Sequence, residues 1–113
     1  MIQQSECAVL SSADMVVFAA PIYWFDISAQ LKLAIDRMYA FGGCGFNFSK
    51  VALLLNSGAE GVYNAAIAAY KAMNAYLNWE DIDIITIGGM AEKGDMAANP
   101  ELAEVRALGE SLK

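Results

Sequence analysis

Apolar residues follow two different rhythms along this chain, and the alternation between them organises it. Asp14–Ala20, Lys50–Leu55 and Asp83–Gly88 are short runs in which neighbours on both alternating faces are apolar. That habit predicts strands buried on both sides, as in parallel sheets. The intervening segments carry apolar residues at helical spacing instead. After Ser28, which can cap a helix, Leu31, Ile35, Met38 and Tyr39 share one side, and Gly42-Gly43 close the helix near Phe41. A longer helix is predicted over about 62–77, with Val62, Ala66, Ala69, Tyr70, Met73 and Leu77 on its stripe. Asn99-Pro100-Glu101 opens a last helix whose buried side is Leu102, Val105, Gly109 and Leu112. Residues 2–13, with Ile2, Glu6, Val9 and Leu10 on one side, read as a short helix before the first strand. One helix followed by three strand–helix units predicts an α/β domain with a parallel sheet covered on both faces.

Two loops stand out in that frame. The first, Pro21-Ile22-Tyr23-Trp24-Phe25-Asp26, is predicted to follow the first strand, and a hydrophobic core does not place so many large aromatics consecutively. The second, Asn56-Ser57-Gly58-Ala59-Glu60-Gly61, follows the second strand and is rich in residues that permit unusual backbone angles. Both fall at strand carboxyl ends, the edge where open α/β sheets receive ligands. Tyr23, Trp24 and Phe25 cannot all be buried in a loop, which favours a binding role; Ser57 reads equally well as a helix cap. Gly42-Gly-Cys-Gly45 is a connector and not a phosphate cradle, because it follows a helix and precedes a strand. Residues 90–99 are a polar loop.

Composition narrows the chemistry. The 113 residues allow one domain, and 58% are hydrophobic, which fits either a well-buried Ala-rich core or apolar surface kept for a partner. The net charge is −6, and the seven basic residues are scattered, so a nucleic-acid footprint is not expected. No apolar run approaches the ~20 residues of a membrane span. The opening Met-Ile-Gln-Gln-Ser-Glu shows no secretory pattern, which makes a cytoplasmic location the expectation. Cys7 and Cys44 belong to no metal or cluster spacing and read as idle thiols. The chain has no histidine, so Ser-His-Asp and Cys-His units and His metal sites are excluded. A receiver-type signalling domain is disfavoured, since Asp14 and Asp83 sit at strand beginnings. Chemistry is left to carboxylates, Lys, Tyr or a bound cofactor.

Ala13-Asp14, Pro21-Ile-Tyr-Trp24, Ser28-Ala-Gln-Leu-Lys32 and Asp36-Arg37, in that order, resemble the flavodoxin-like NAD(P)H-dependent FMN reductases, including the iron–sulfur flavoprotein branch. The resemblance continues more weakly to the C-terminus. It implies a flavodoxin-like three-layer parallel sheet, truncated: residues 1–113 form a single partial domain holding the family's third, fourth and fifth strands. The family's phosphate-binding first loop and the cysteine cluster of its iron–sulfur branch have no matching residues in the sequence. By the same resemblance, Pro21, Ile22, Tyr23, Trp24 and Phe25 would face the isoalloxazine ring of FMN, and Ser57, Gly58, Ala59, Glu60 and Gly61 its other edge. NAD(P)H would be the electron donor.

Two further expectations follow from truncation. The chain would bind FMN weakly without its phosphate contacts. The strand at residues 14–20 would become a sheet edge, so the polypeptide would associate with itself or with a missing N-terminal segment. The rival reading is a non-catalytic remnant that uses this edge for dimerisation or partner binding.

Overall fold

A computed structural model of the chain describes residues 12–40, 46, 48–89 and 102–111. Four strands and three helices alternate: β1 (Met15–Tyr23), β2 (Asp26–Ile27), α1 (Ala29–Ala40), β3 (Lys50–Asn56), α2 (Asn64–Leu77), β4 (Glu80–Ile87) and α3 (Leu102–Ser111). The sheet order is β2-β1-β3-β4. β1 pairs parallel with β3 from Met15↔Lys50 to Pro21↔Asn56, and β3 pairs parallel with β4 from Lys50↔Glu80 to Asn56↔Ile87. The expected α/β arrangement with a parallel sheet is therefore present. The expected helix over 2–13, the Gly42–Gly45 connector, the 90–99 loop, the Asn99-Pro100 helix start, Cys7 and Cys44 lie outside the described residues.

The two faces of the sheet are packed unequally. Val51, Leu53 and Leu55 of β3 join Phe18, Ile22, Phe48, Tyr63, Ala66 and Tyr70 in the larger core, beneath α1 and α2. Trp79 packs on this cluster, 4.8 Å from the Phe48 ring and 6.4 Å from Phe18. The other face holds a smaller core of Ala52, Ile85, Ile87 and Leu108, the last from α3. Period-two alternation along β3 sends odd residues to one core and Ala52 to the other.

Three sequence expectations are corrected here. The first strand does not stop at Ala20. It runs to Tyr23, because Ile22 and Tyr23 pair antiparallel with Ile27 and Asp26 of β2. β4 begins at Glu80 rather than Asp83; its acidic start, Glu80-Asp81-Ile82-Asp83, is exposed and pairs with β3 around a register shift opposite Val51/Ala52. Charges and a bulge are common protections of an edge strand. The helix faces also differ: Tyr39 and Leu77 are exposed, and the core side of α2 is Ala66, Tyr70 and Asn74. On α3 the buried residue is Leu108, while Gly109 is exposed and Leu112 lies outside the described residues.

Ser28 does cap α1, its Oγ accepting from Leu31 N at 3.3 Å. α2 has no side-chain cap; its Ccap Asn78 turns left-handed at φ 59°, and its N–H donates to Asn74 O. Among the described residues the outer edge of β1 from Met15 to Pro21 pairs with no strand, since β2 reaches only Ile22 and Tyr23. No helix among the described residues is long and apolar enough to cross a membrane.

Candidate functional site

The parallel register Pro21↔Asn56 decides where the two candidate loops go: both leave the sheet on the carboxyl rim, side by side. A third strand end joins them. Ser57 N donates to Ile87 O at 3.0 Å, and Tyr63 Oη donates to the same carbonyl at 3.0 Å, so the loop after β3 is tied to the end of β4. Within the loop, Ala59 N donates to Ser57 Oγ at 3.2 Å. Ser57 thus closes a local turn, and the helix-cap alternative is set aside. Gly61 adopts φ +73°, a conformation costly to any residue bearing a Cβ. The Glu60 side chain lies across Gly88; a Cβ added there would meet Glu60 Cγ at 2.6 Å.

The aromatic segment is a hairpin and not an open loop. Tyr23 and Asp26 are paired, leaving Trp24 and Phe25 as the two turn residues, at φ 50° and φ 70°. Positive φ at both positions is the type I′ pattern that matches the twist of paired strands, and it favours Asn-Gly. Bulky side chains are disfavoured there by roughly 1–2 kcal/mol each. Burial offers little compensation: Trp24 is 93% exposed, Tyr23 63% and Phe25 57%.

Ten residues were predicted to form a site. The structure sets Pro21 on the rim beside Asn56 and raises Tyr23, Trp24 and Phe25 into solvent. Gly58, Ala59, Glu60 and Gly61 are exposed in the second loop, and Ser57 is half-buried. The Ile22 side chain belongs to the large core, so only its backbone can serve the rim. Sequence reasoning missed a cavity of about 350 Å³ where the strand ends meet α3, lined by Ala20, Pro21, Leu55, Asn56, Ile87 and Leu102. Its apolar members looked like ordinary strand and helix positions, and nothing in their spacing marks a shared opening. The two loops, 21–25 and 56–61, carry Glu60 as their only carboxylate and no Lys or Arg. They suit a flat, largely apolar ring with a polar edge better than a phosphate.

An open α/β sheet with adjacent loops on its carboxyl rim defines the class. The chain belongs to the family of proteins with the flavodoxin-like fold, whose model matches residues 2–110. It is 34% identical over 120 residues to an FMN-dependent NADH:quinone oxidoreductase of Bordetella parapertussis, covering 93% of this chain and 56% of that protein. A protein of the same description from Methylocella silvestris is 32% identical over 105 residues, covering 77% of this chain and 51% of the relative. The chain therefore spans about half the length of the curated relatives it matches. A chain in the crystal structure of a thermophilic tryptophan halogenase from Streptomycin violaceusniger superposes with a TM-score of 0.59 at 19% identity. That match covers 89% of this chain and 66% of the other, and it speaks to fold alone.

Proposed function

We propose that this chain supplies the ring-binding part of an FMN-dependent NAD(P)H oxidoreductase of the flavin reductase type. The observation that carries the proposal is the Trp24-Phe25 turn, where two bulky aromatics hold positive φ while exposed. Strain of that kind persists where it serves a site. Tyr23, Trp24 and Phe25 offer flat apolar faces to the isoalloxazine ring, and the backbone N–H groups of Gly58, Glu60 and Gly61, which the Ser57 and Ala59 hydrogen bonds leave uncommitted, offer donors to its polar edge. Gly61 and the Ser57 turn set the path of that loop, and its tie to Ile87 keeps it beside Pro21. FMN, when bound, accepts hydride from the nicotinamide and passes electrons on. No histidine is needed for the chain's share of the work, which is binding and orientation. The names of the relatives suggest NADH as donor and a quinone as acceptor.

The FMN phosphate finds no basic side chain in either loop. Charge-assisted hydrogen bonds to phosphate are worth roughly 1.5–3 kcal/mol each, so lacking two weakens FMN binding by on the order of 100-fold or more. The test is a parallel titration of the chain with riboflavin and with FMN, followed by flavin fluorescence. Comparable, weak binding of both is expected. Absence of riboflavin binding at millimolar concentration removes the ring site, and FMN binding on the order of 100-fold tighter than riboflavin removes the inference about phosphate.

The outer edge of β1, unpaired from Met15 to Pro21 among the described residues, favours a second reading, a non-catalytic module that associates through its sheet. A protein that fails to bind riboflavin yet dimerises through that edge supports it.

A further inference from the structure

The face of the sheet opposite the large core is covered by one described helix, and unevenly. Alternation along the strands turns Val17, Ala19 and Pro21 of β1, and Leu54 and Asn56 of β3, to that face beside Ile87 of β4. α3 lies over β4, where Leu108 packs against Ala52, Ile85 and Ile87. Toward β1 its cover runs out, and both Val17 and Ala19 are exposed. The cavity of about 350 Å³ opens there, with Ala19, Leu54 and Asn56 on the sheet side and Leu102 and Val105 on the helix side. Ala19 leaves the room, since a larger side chain at that position would occupy it.

We propose that this cavity is a second binding site, separate from the two loops, for a neutral aromatic molecule of two fused rings bearing a hydroxyl or carbonyl oxygen. Size sets the ring count: a hollow of ~150 Å³ admits benzene, and this one is roughly twice as large. A slot between a sheet and a helix favours a flat occupant. Chemistry sets the rest. The lining is apolar except for Asn56 and holds no charged side chain. The Asn56 amide is half-buried and makes no hydrogen bond to a described residue, so it has a donor and an acceptor to spare. A ligand oxygen beside it gains a hydrogen bond, whereas a carboxylate would lose its hydration with no cation to meet it. Glu60, whose side chain lies across Gly88 at the end of β4, puts a negative charge on the same rim and adds to that exclusion. A ligand of about 11 heavy atoms without a charged contact binds at about 0.1–1 mM. Such binding does not require a flavin ring in the loops.

The test is ligand-detected saturation-transfer NMR on the whole chain with 2-naphthol, and with 2-naphthoate as its charged counterpart. 2-Naphthol is expected to bind at about 0.1–1 mM, and 2-naphthoate at least about tenfold more weakly. Ala19→Phe and Val105→Phe fill the cavity from opposite walls, and each abolishes binding. Phenylalanine suits a strand, and an unchanged far-UV circular dichroism spectrum verifies folding. Asn56→Leu weakens 2-naphthol by about twofold to tenfold, the worth of one hydrogen bond. Tyr76→Lys, in the hollow of about 530 Å³ between α1 and α2, changes nothing. Riboflavin does not displace 2-naphthol and keeps its affinity in Ala19→Phe. No saturation transfer at about 2 mM 2-naphthol, equal binding of the two probes, binding that survives both filling substitutions, or binding lost in Tyr76→Lys overturns the proposal. Displacement by riboflavin also overturns it and gives the cavity to the ring site. A chain that binds 2-naphthol but no riboflavin supports the cavity assignment and refutes the loop reading instead.

Discussion

Trp24→Asn is expected to stabilise the fold while weakening ring binding, and the opposite signs make it a discriminating perturbation. Trp24 occupies the first turn position at φ 50°, where a bulky L-residue costs roughly 1–2 kcal/mol and Asn is well tolerated. The side chain is 93% exposed, so removing it uncovers little. Of a burial capacity of about 250 Å², only some 20 Å² is lost, worth about 0.5 kcal/mol at 25 cal/mol/Å². The net gain is about 1 kcal/mol, equivalent to a rise of about 4 °C in Tm for a domain of this size. Loss of one stacking face costs roughly 0.5–1.5 kcal/mol of ring affinity, about twofold to tenfold. Urea denaturation reads the first effect and riboflavin titration the second. The reasoning fails if the variant is destabilised by more than about 1 kcal/mol, which gives the indole a structural job. It fails equally if riboflavin affinity does not change.

Other consequences are open to direct measurement. Burial, followed by the hydrogen bond it donates to Asp81 Oδ1 at 2.8 Å, raises the Tyr70 phenol well above its usual 10.0. The ring is buried while Asp81 is exposed, so this hydroxyl sits at the boundary of the core. The folded state keeps a proton that the unfolded chain releases. Its contribution is therefore complete below pH 10.0 and declines as pH rises above it. Urea midpoints taken from about pH 9 to about pH 12 should fall less steeply in Tyr70→Phe, by up to about 1.4 kcal/mol per pH unit, and an identical slope contradicts the assignment. Gly61→Ala meets no atom within 4 Å, so its cost is the backbone alone, about 1 kcal/mol by chemical denaturation. Leu55→Ala, at a fully buried position at the centre of the larger core, should cost about 2–5 kcal/mol in the same assay.

The shared rim of the two candidate loops was legible because it depends on order along the chain. A parallel β1–β3 pair puts the loop after each strand on one rim, and strands buried on both sides show as unbroken apolar runs. What escaped was decided by pairing at a distance. The strand continues through Tyr23 because Asp26 and Ile27 fold back on it. That hairpin carries Trp and Phe where turn chemistry favours Asn and Gly, so the usual signal for it was missing. Ile22 was grouped with the exposed aromatics because four large residues in succession hide which one points inward; the pleat sends it to the core.

The sequence by itself determined the class of architecture, the α1 cap at Ser28 and the adjacency of the two loops. These rest on local periodicity, residue identity and the fixed direction of a parallel sheet. Only the tertiary structure decided which apolar stripe is core. Tyr39 and Leu77 satisfy helical spacing as well as Met38 and Ala66 do, yet they face water, because α1 and α2 sit on the sheet with a groove between them. Periodicity reports which side of a helix is apolar. How much of that side finds a partner depends on where its neighbours pack, which no single segment encodes.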